Sequence, residues 1–444
     1  MIADADRILD AALEVPGADD VEISVTRQWG GLTRFARNTI HQHVESDDTH
    51  LHVRVATQSR VSAASTNDAT PAGARRAAEQ ALAAARLSPP DPTFPGLAGP
   101  SPAPIGDDPA DPAADGDMPV RRATAVRDLL ARLGPGQEGA GAVESSTREV
   151  AFATTAGARH FAVSHRAAAS TVVMQDGASG HAEDAAPTLD GLDPAELGAR
   201  AGATCAAATT GPGAADPGEW EVVLLPSAVM TLLEYLAFTT FSAKMVAEGR
   251  SAFADHFGAR VCAPVISIAD DAPAHRPMTL PIDGEGTPTS RVDLVVEGVA
   301  TGMVHDRTTA AAAGVASTGH GLPGPNPFGP FASSLVLAPG TSSVDELVAG
   351  VERGLLVTRF WYTRTVNPKR TLITGMTRDG TFRIDNGAIG PPVRNLRYNV
   401  SILDSLSSCD GVGDRLHTSS DESGDSRAPA LRLRSFHFTS SSDH

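Results

Sequence analysis

Residues 226–261 read PSAVMTLLEYLAFTTFSAKMVAEGRSAFADHFGARV. Pro226-Ser227 is a helix start signal, with Ser227 placed to cap the first free N–H groups. Val229, Leu232, Leu233 and Leu236 recur at i, i+3, i+4 and i+7. That spacing predicts one buried apolar face on a helix running to about residue 246. Phe238 and Phe241 fall beyond this face and read as contact residues for a partner. Glu234, Tyr235 and Thr239 lie along the same turns. A lone Glu234 without a paired acid reads first as the polar side of the helix.

Outward from this helix, the chain is long enough for more than one core: 444 residues predict two or three domains. The formal net charge of −17 argues against a nucleic-acid binder, because an acidic surface repels phosphate backbones. Cys205, Cys262 and Cys409 are far apart and odd in number, so they form neither a disulfide framework nor a CxxC metal pair. The opening MIADADRILDAALE lacks the pattern of a signal peptide, and no apolar run is long enough to span a membrane. A cytoplasmic protein without membrane contact is the expectation.

Residues 3–15 predict an amphipathic helix. Val21–Val25, Thr33–Arg37, His41–Val44 and Leu51–Val55 read as strands of an antiparallel meander, and Pro71–Arg86 as a helix. The proline-dense stretch 87–119 reads as an extended linker. A helix over 120–133, strands at Glu149–Thr154, His160–Arg166 and Thr171–Gln175, and a helix at Pro194–Ala208 repeat the style of the first part. Strands then helix in 20–86 and again in 143–208 hint at two related units. GPGAADPG (211–218) is a linker.

The remainder opens with a strand, Trp220–Leu225, before the central helix. A hairpin follows, Val292–Val296 with Val299–His305, and then a strand at Ser333–Leu337. A helix over 342–354 is capped by Ser343 and Glu346 and stopped by Gly354. Leu355–Tyr362, Arg370–Thr377 and Thr381–Asp385 read as strands, with hairpin turns at Asp379-Gly380 and Asn386-Gly387. Residues 409–428 read as a mobile loop, and Leu431–Phe438 as a closing strand. The fold class is therefore α+β. Domains are expected at 1–118, 119–218 packed with it, and 219–444. The first two carry antiparallel sheet with flanking helices, and the last is mostly β with one central helix.

Five stretches resemble the TldD/PmbA family: RFARNTIHQHVESDDTHLHVRV (34–55), PIDGEGTPT (281–289), GVASTGHG (314–321), the long run 354–403, and ALRLRSFHFTSSS (430–442). The run GLLVTRFWYTRTVNPKRTLITGMTRDGTFRIDNGAIGPPVRNLRYNVSIL is the most specific, because it is far longer than a chance motif. In metallopeptidase members of the family the central helix reads LL-HExxxH. With Leu232-Leu233 setting the register, Glu234 and Thr239 stand at the two histidines and Tyr235 at the glutamate. Cys409, in SSCDGVG, does not reproduce the family's late cysteine context.

The resemblance is thus to the TldE/PmbA branch, the metal-free subunit of a TldD–TldE peptidase complex. It implies no metal or cofactor in this chain and zinc in a TldD-like HExxxH partner. It also implies an extended peptide as substrate, a heterodimer, and a link to peptide maturation and gyrase inhibitors. A stand-alone homodimeric peptide binder or hydrolase with a different site is the other reading.

Other candidates have plainer explanations. His41 with His43, and His50 with His52, are HxH pairs on strands, but no third ligand accompanies them. They read as polar residues on solvated faces. His305 and His320 read as turn or supporting residues, and Arg364, Lys369 and Arg370 as a basic strand end.

Overall fold

A computed structural model describes residues 2, 4–101, 118–419 and 425–441. The N-terminal half contains α1 (Ala5–Leu13), β1 (Asp20–Ala36), β2 (Thr39–Thr57), β3 (Arg60–Thr66) and α2 (Pro71–Leu87). Then come α3 (Met118–Leu130), β4 (Glu138–Thr154), β5 (Arg159–Gln175), β6 (Ala178–Ala186) and α4 (Pro194–Ala208). Helix, three strands, helix occurs twice. The two sets form one antiparallel sheet in the order β3-β2-β1-β4-β5-β6, which reads alike outward from its middle pair. The cap chemistry repeats as well: Thr70-Pro71 starts α2 and Asp193-Pro194 starts α4, each cap side chain accepting an N–H three residues on.

Alternation sets the sheet's two faces. Val21, Ile23, Val25, Leu51, Val53 and Val55 pack under α1 and α2. Phe35, Val143, Ala167, Ala169 and Val173 pack under α3 and α4. The intervening residues Glu22, Ser24, Thr26, Arg54 and Arg148 belong to the opposite face, which the C-terminal half covers.

The C-terminal half contains β7 (Gly218–Leu224), α5 (Pro226–Thr239), α6 (Ala243–Ala247), α7 (Phe253–His256), β8 (Ile268–Asp270), β9 (Val292–Val296), β10 (Val299–Ala300), α8 (Arg307–Ala313), β11 (Leu335–Leu337) and α9 (Val344–Ala349). It continues with β12 (Arg353–Asn367), β13 (Leu372–Asp385), β14 (Ala388–Pro392), β15 (Leu396–Ser401), α10 (Ile402–Ser407), β16 (Cys409–Val412), β17 (His417–Thr418), β18 (Arg427–Ala428) and β19 (Leu431–Ser441).

Strands β12, β7, β19, β15 and β13 pair in turn, and β13 pairs back onto β12, so five strands close into a ring. Phe360, Tyr398, Phe436 and Phe438 stack in its core, with ring centroids 4.6 to 5.6 Å apart. The α5 face made of Val229, Leu232, Leu233 and Leu236 is fully buried in the same core. A smaller sheet, β10-β9-β8-β11-β18-β17, packs beside it.

Several expectations need correction. The central helix starts at Pro226 with Leu225 as its cap, so Ser227 lies inside the first turn and caps nothing. It ends at Thr239, not near 246: Thr240 is its C-cap, with φ −126° outside the helical range, and α6 follows separately. Phe241 is fully buried, edge-on to Phe253, and is no partner contact. The Ser343–Glu346 capping box is present, but α9 stops at Gly350, and Gly354 lies in β12 paired with Ile384 and Glu221.

Asp379-Gly380 is not a hairpin turn. It is an irregularity inside β13, where the Thr358 hydroxyl reaches the carbonyls of Arg378, Asp379 and Gly380 at 2.8–2.9 Å. The return strand after Gly298 is only Val299–Ala300. Of the loop expected at 409–428, the described part carries β16, β17 and β18, and 420–424 lie outside the described residues. Of the linker at 87–119, residues 102–117 likewise lie outside, while 88–101 run extended along the N-terminal half.

Candidate functional site

The three positions singled out on α5 are not assembled for chemistry. Thr239 is buried, and its hydroxyl donates to the Tyr235 carbonyl at 2.6 Å, one turn back. The Tyr235 hydroxyl donates to the Thr363 carbonyl of β12 and so ties helix to strand. Burial and then the charge of Glu234 push the Tyr235 phenol above its ordinary value, against Arg364. Zinc takes imidazole, thiolate or carboxylate ligands. Only Glu234 offers one, so Glu234, Tyr235 and Thr239 do not fit a zinc site.

The cysteines do not supply the missing ligands either. Burial pushes the Cys262 and Cys409 thiols up to about 12, which keeps both protonated. Among the described residues no three His, Cys, Asp or Glu side chains converge on a metal-sized site.

A concavity between the two halves lies elsewhere. A cavity of about 330 Å³ separates the polar face of the six-stranded sheet from C-terminal loops around 278–289 and 319–334. Ser24 and Thr26 of β1, Arg148, Val150 and Phe152 of β4 and Ser164 of β5 form one wall. Asp283, His320, Leu322 and Phe331 are on the other. Phe331 also packs on Phe238 at 5.2 Å, which connects the cavity to the exposed end of α5.

A buried ionic triad closes the two halves beside it. Arg54 Nη2 donates to Glu22 at 2.6 Å and Nη1 to Glu285 at 3.3 Å, all three side chains being at most 7% exposed. Burial raises both carboxyl pKa values, and Arg54 opposes it. The backbone N–H of Arg307 donates to Glu285 at 2.9 Å as well. Asp283 accepts backbone N–H groups from Glu285, Thr287 and Gly321, yet burial, followed by the charge of Glu285, pushes it up to about 7. These bonds shape the 281–289 turn.

The histidines have supporting positions. His320 Nε2 lies 3.0 Å from Asp270 Oδ1, and its Nδ1 lies 2.9 Å from the Thr318 hydroxyl. The Ser334 N–H donates to Asp270 at 2.9 Å. His52 bonds the Gly324 carbonyl at 2.6 Å, across the same junction. His43 pairs with Glu45 at 2.9 Å on the exposed part of β2, and His305 Nδ1 is buried. In the basic cluster, Lys369 pairs with Asp255 at 2.7 Å and Arg364 lies over the Tyr362 ring at 4.7 Å. Sequence reasoning missed the triad and Arg148, because neither stands out locally from other charged strand residues.

Two family profiles match: the PmbA/TldA metallopeptidase C-terminal domain over residues 217–440, and the PmbA/TldA metallopeptidase domain 1 over 21–85. The chain belongs to the TldD/PmbA family. A protein from Methanothermobacter thermautotrophicus named as a metalloprotease is 25% identical over 198 residues, covering 44% of this chain and 43% of that protein. The match therefore spans less than half the length of that relative.

Among solved structures, TldE from Thermococcus kodakarensis superposes with a TM-score of 0.85 at 20% identity, covering 98% of this chain and 99% of that one. A candidate modulator of a DNA gyrase from Thermotoga maritima superposes with a TM-score of 0.82 at 19% identity, covering 98% and 99%. Identity this low establishes the shared fold. Among the described residues no helix is long and apolar enough to cross a membrane.

Proposed function

We propose that this chain is a TldE-like, non-catalytic subunit of a zinc metallopeptidase complex acting on unfolded or modified peptides. The observation that carries the reading is the α5 motif. By the family resemblance α5 stands where the peptidase members carry HExxxH, with Glu234, Tyr235 and Thr239 at the ligand and base positions, and the Tyr235 and Thr239 hydroxyls are spent on backbone carbonyls. Zinc and the HExxxH motif then belong to a partner subunit, where metal-bound water reaches a pKa of about 7. Glu234 without a metal offers no equivalent activation.

The role left to this chain is to complete a chamber and hold an extended peptide. Two strand edges support it. β2 from Thr39 to His50 runs past the end of β3, and β12 beyond Val357 runs past β7. Such edges accept an added strand by main-chain hydrogen bonding. Next to the second edge, Trp361 is 43% exposed, Tyr362 66% and, on α5, Phe238 49%.

The test is to mix the purified chain with a HExxxH subunit from the same genome. The chain alone cleaves no peptide and holds no stoichiometric zinc, and the mixture cleaves an unfolded peptide faster than the partner alone. Cleavage by the isolated chain in excess chelator overturns the proposal. A stable homodimer that ignores the partner and still binds peptide favours the stand-alone reading.

A further inference from the structure

Arg148 is the outlier of the junction cavity. It stands on the sheet face between Gln28 of β1 and Ser164 of β5, and its side chain lines the cavity. Arg148 is an exposed residue of the cavity lining, and desolvation by the surrounding protein holds its guanidinium below the ordinary arginine value with no carboxylate opposing it. Among the described residues it makes no hydrogen bond and no ion pair.

The carboxylates that line the cavity are already engaged. Asp283 is turned onto three backbone N–H groups, and Asp425 pairs with Arg166 at 3.1 Å. Besides His320, the remaining lining is made of hydroxyls, among them Ser24, Thr26 and Ser164, and apolar groups, among them Val150, Leu322 and Phe331. An exposed guanidinium with no protein partner is free to take an anion that enters the cavity. Its planar fork matches a carboxylate with two parallel hydrogen bonds.

We propose that this cavity recognises the C-terminal carboxylate of a peptide whose last side chain is apolar, with Arg148 as the anion's partner. The apolar wall takes the last side chain, and the hydroxyls of Ser24, Thr26 and Ser164 can donate to the carboxylate or the last amide. A chain end places its charge directly beside its final side chain, and a cavity of about 330 Å³ has room for one or two residues. An internal aspartate offers the same charge, but the chain must then leave the site in both directions. The inference deepens the peptide-holding part of the proposed function and does not depend on the partner subunit.

The experiment is calorimetric titration of the full chain, without a partner, by acetyl-Ala-Ala-Leu-Phe as the free acid and as the C-terminal amide. The acid binds at least tenfold more tightly than the amide. Arg148→Met lowers affinity for the acid at least tenfold and leaves the amide unchanged, and Arg148→Lys retains part of the preference. Because Arg148 has no partner to lose, Arg148→Met melts no lower than wild type. Should that variant not fold, Arg148→Gln is read in the same way. Equal binding of acid and amide, acid binding by Arg148→Met at the wild-type level, or no binding of either peptide overturns the site. A peptide with an internal aspartate and an amidated end that binds as well as the acid overturns the chain-end assignment. Faster cleavage in the mixture with a HExxxH subunit is a separate readout, so the failure of one proposal leaves the other standing.

Discussion

Replacing Arg54 by methionine removes the cation that Glu22 and Glu285 share. At an effective dielectric constant of about 20, the contacts of 2.6 and 3.3 Å are worth about 6 and about 5 kcal/mol of gross attraction. Desolvation of three nearly buried ions takes back most of this. Removing one partner, however, leaves uncompensated charge, and the expected loss of stability is about 3–5 kcal/mol. The sign with pH is fixed. Without Arg54, the main influence opposing burial is gone from both carboxyls, and their folded pKa values rise further above that of an unfolded glutamate.

Groups raised in the folded state bind protons that the unfolded chain has released, so the variant loses stability as pH rises through those values. Urea unfolding at pH 5 and pH 8 therefore shows a larger deficit for Arg54→Met at pH 8. Adding Glu22→Gln and Glu285→Gln recovers most of it, since no buried charge is then left alone. A deficit below about 1 kcal/mol at pH 8, or one independent of pH, refutes the claim that the triad holds the two halves together.

Tyr235→Phe removes a helix-to-strand hydrogen bond and costs about 1 kcal/mol in thermal or urea unfolding, with no loss of activity in the two-subunit mixture. Gly286→Ala fails more severely: Gly286 has φ +73° and an added Cβ would meet the Phe152 ring at 2.0 Å, so a melting temperature several degrees lower is expected. Burial, followed by the charge of Arg427, lowers His275 to about 4. Its contribution is intact above the unfolded value near pH 6.5 and is lost as pH falls toward 4, amounting to about 3 kcal/mol. His275→Gln should flatten that part of the stability profile. On the proposed division of labour, with water activation on a HExxxH partner, Glu234→Ala leaves cleavage by the mixture within about twofold.

Where a side chain's position follows from local period, the sequence was legible. Alternation through Val21–Val25 put Glu22 and Ser24 on the face opposite the core, and the spacing of Val229, Leu232, Leu233 and Leu236 put those four inside. Local signals failed where distant pairing overrode them. Gly30-Gly31 looks like a break, yet both residues continue β1 because β2 and β4 flank it on either side. Gly30 must be glycine there, with φ +149° and Ser145 O only 2.2 Å from an added Cβ. Asp379-Gly380 carries a strong turn signature, but pairing of β13 with β12 on both sides of it and the Thr358 hydroxyl hold it inside the strand. The partner of Arg54 at Glu285 is 231 residues away, and no period reaches that far. At α5, the missing histidines were plain from the residues alone, whereas the cavity beside Arg148 exists only once the two halves meet.

The palindromic order of the six-stranded sheet has a kinetic consequence. Within each half, β1 to β3 and β4 to β6 pair with their sequence neighbours, so those hairpins close over short loops. The seam between β1 and β4 joins residues more than a hundred positions apart, such as Glu22 and Thr154. Local pairs form before distant ones because loop-closure entropy rises with separation and must be met before the contact rewards it. Each three-stranded half is thus the natural early unit of folding, and zipping of the central seam is the slow step. Until it closes, both halves present a long unpaired inner strand, and that interval is when the chain is most exposed to misassembly with its own copies.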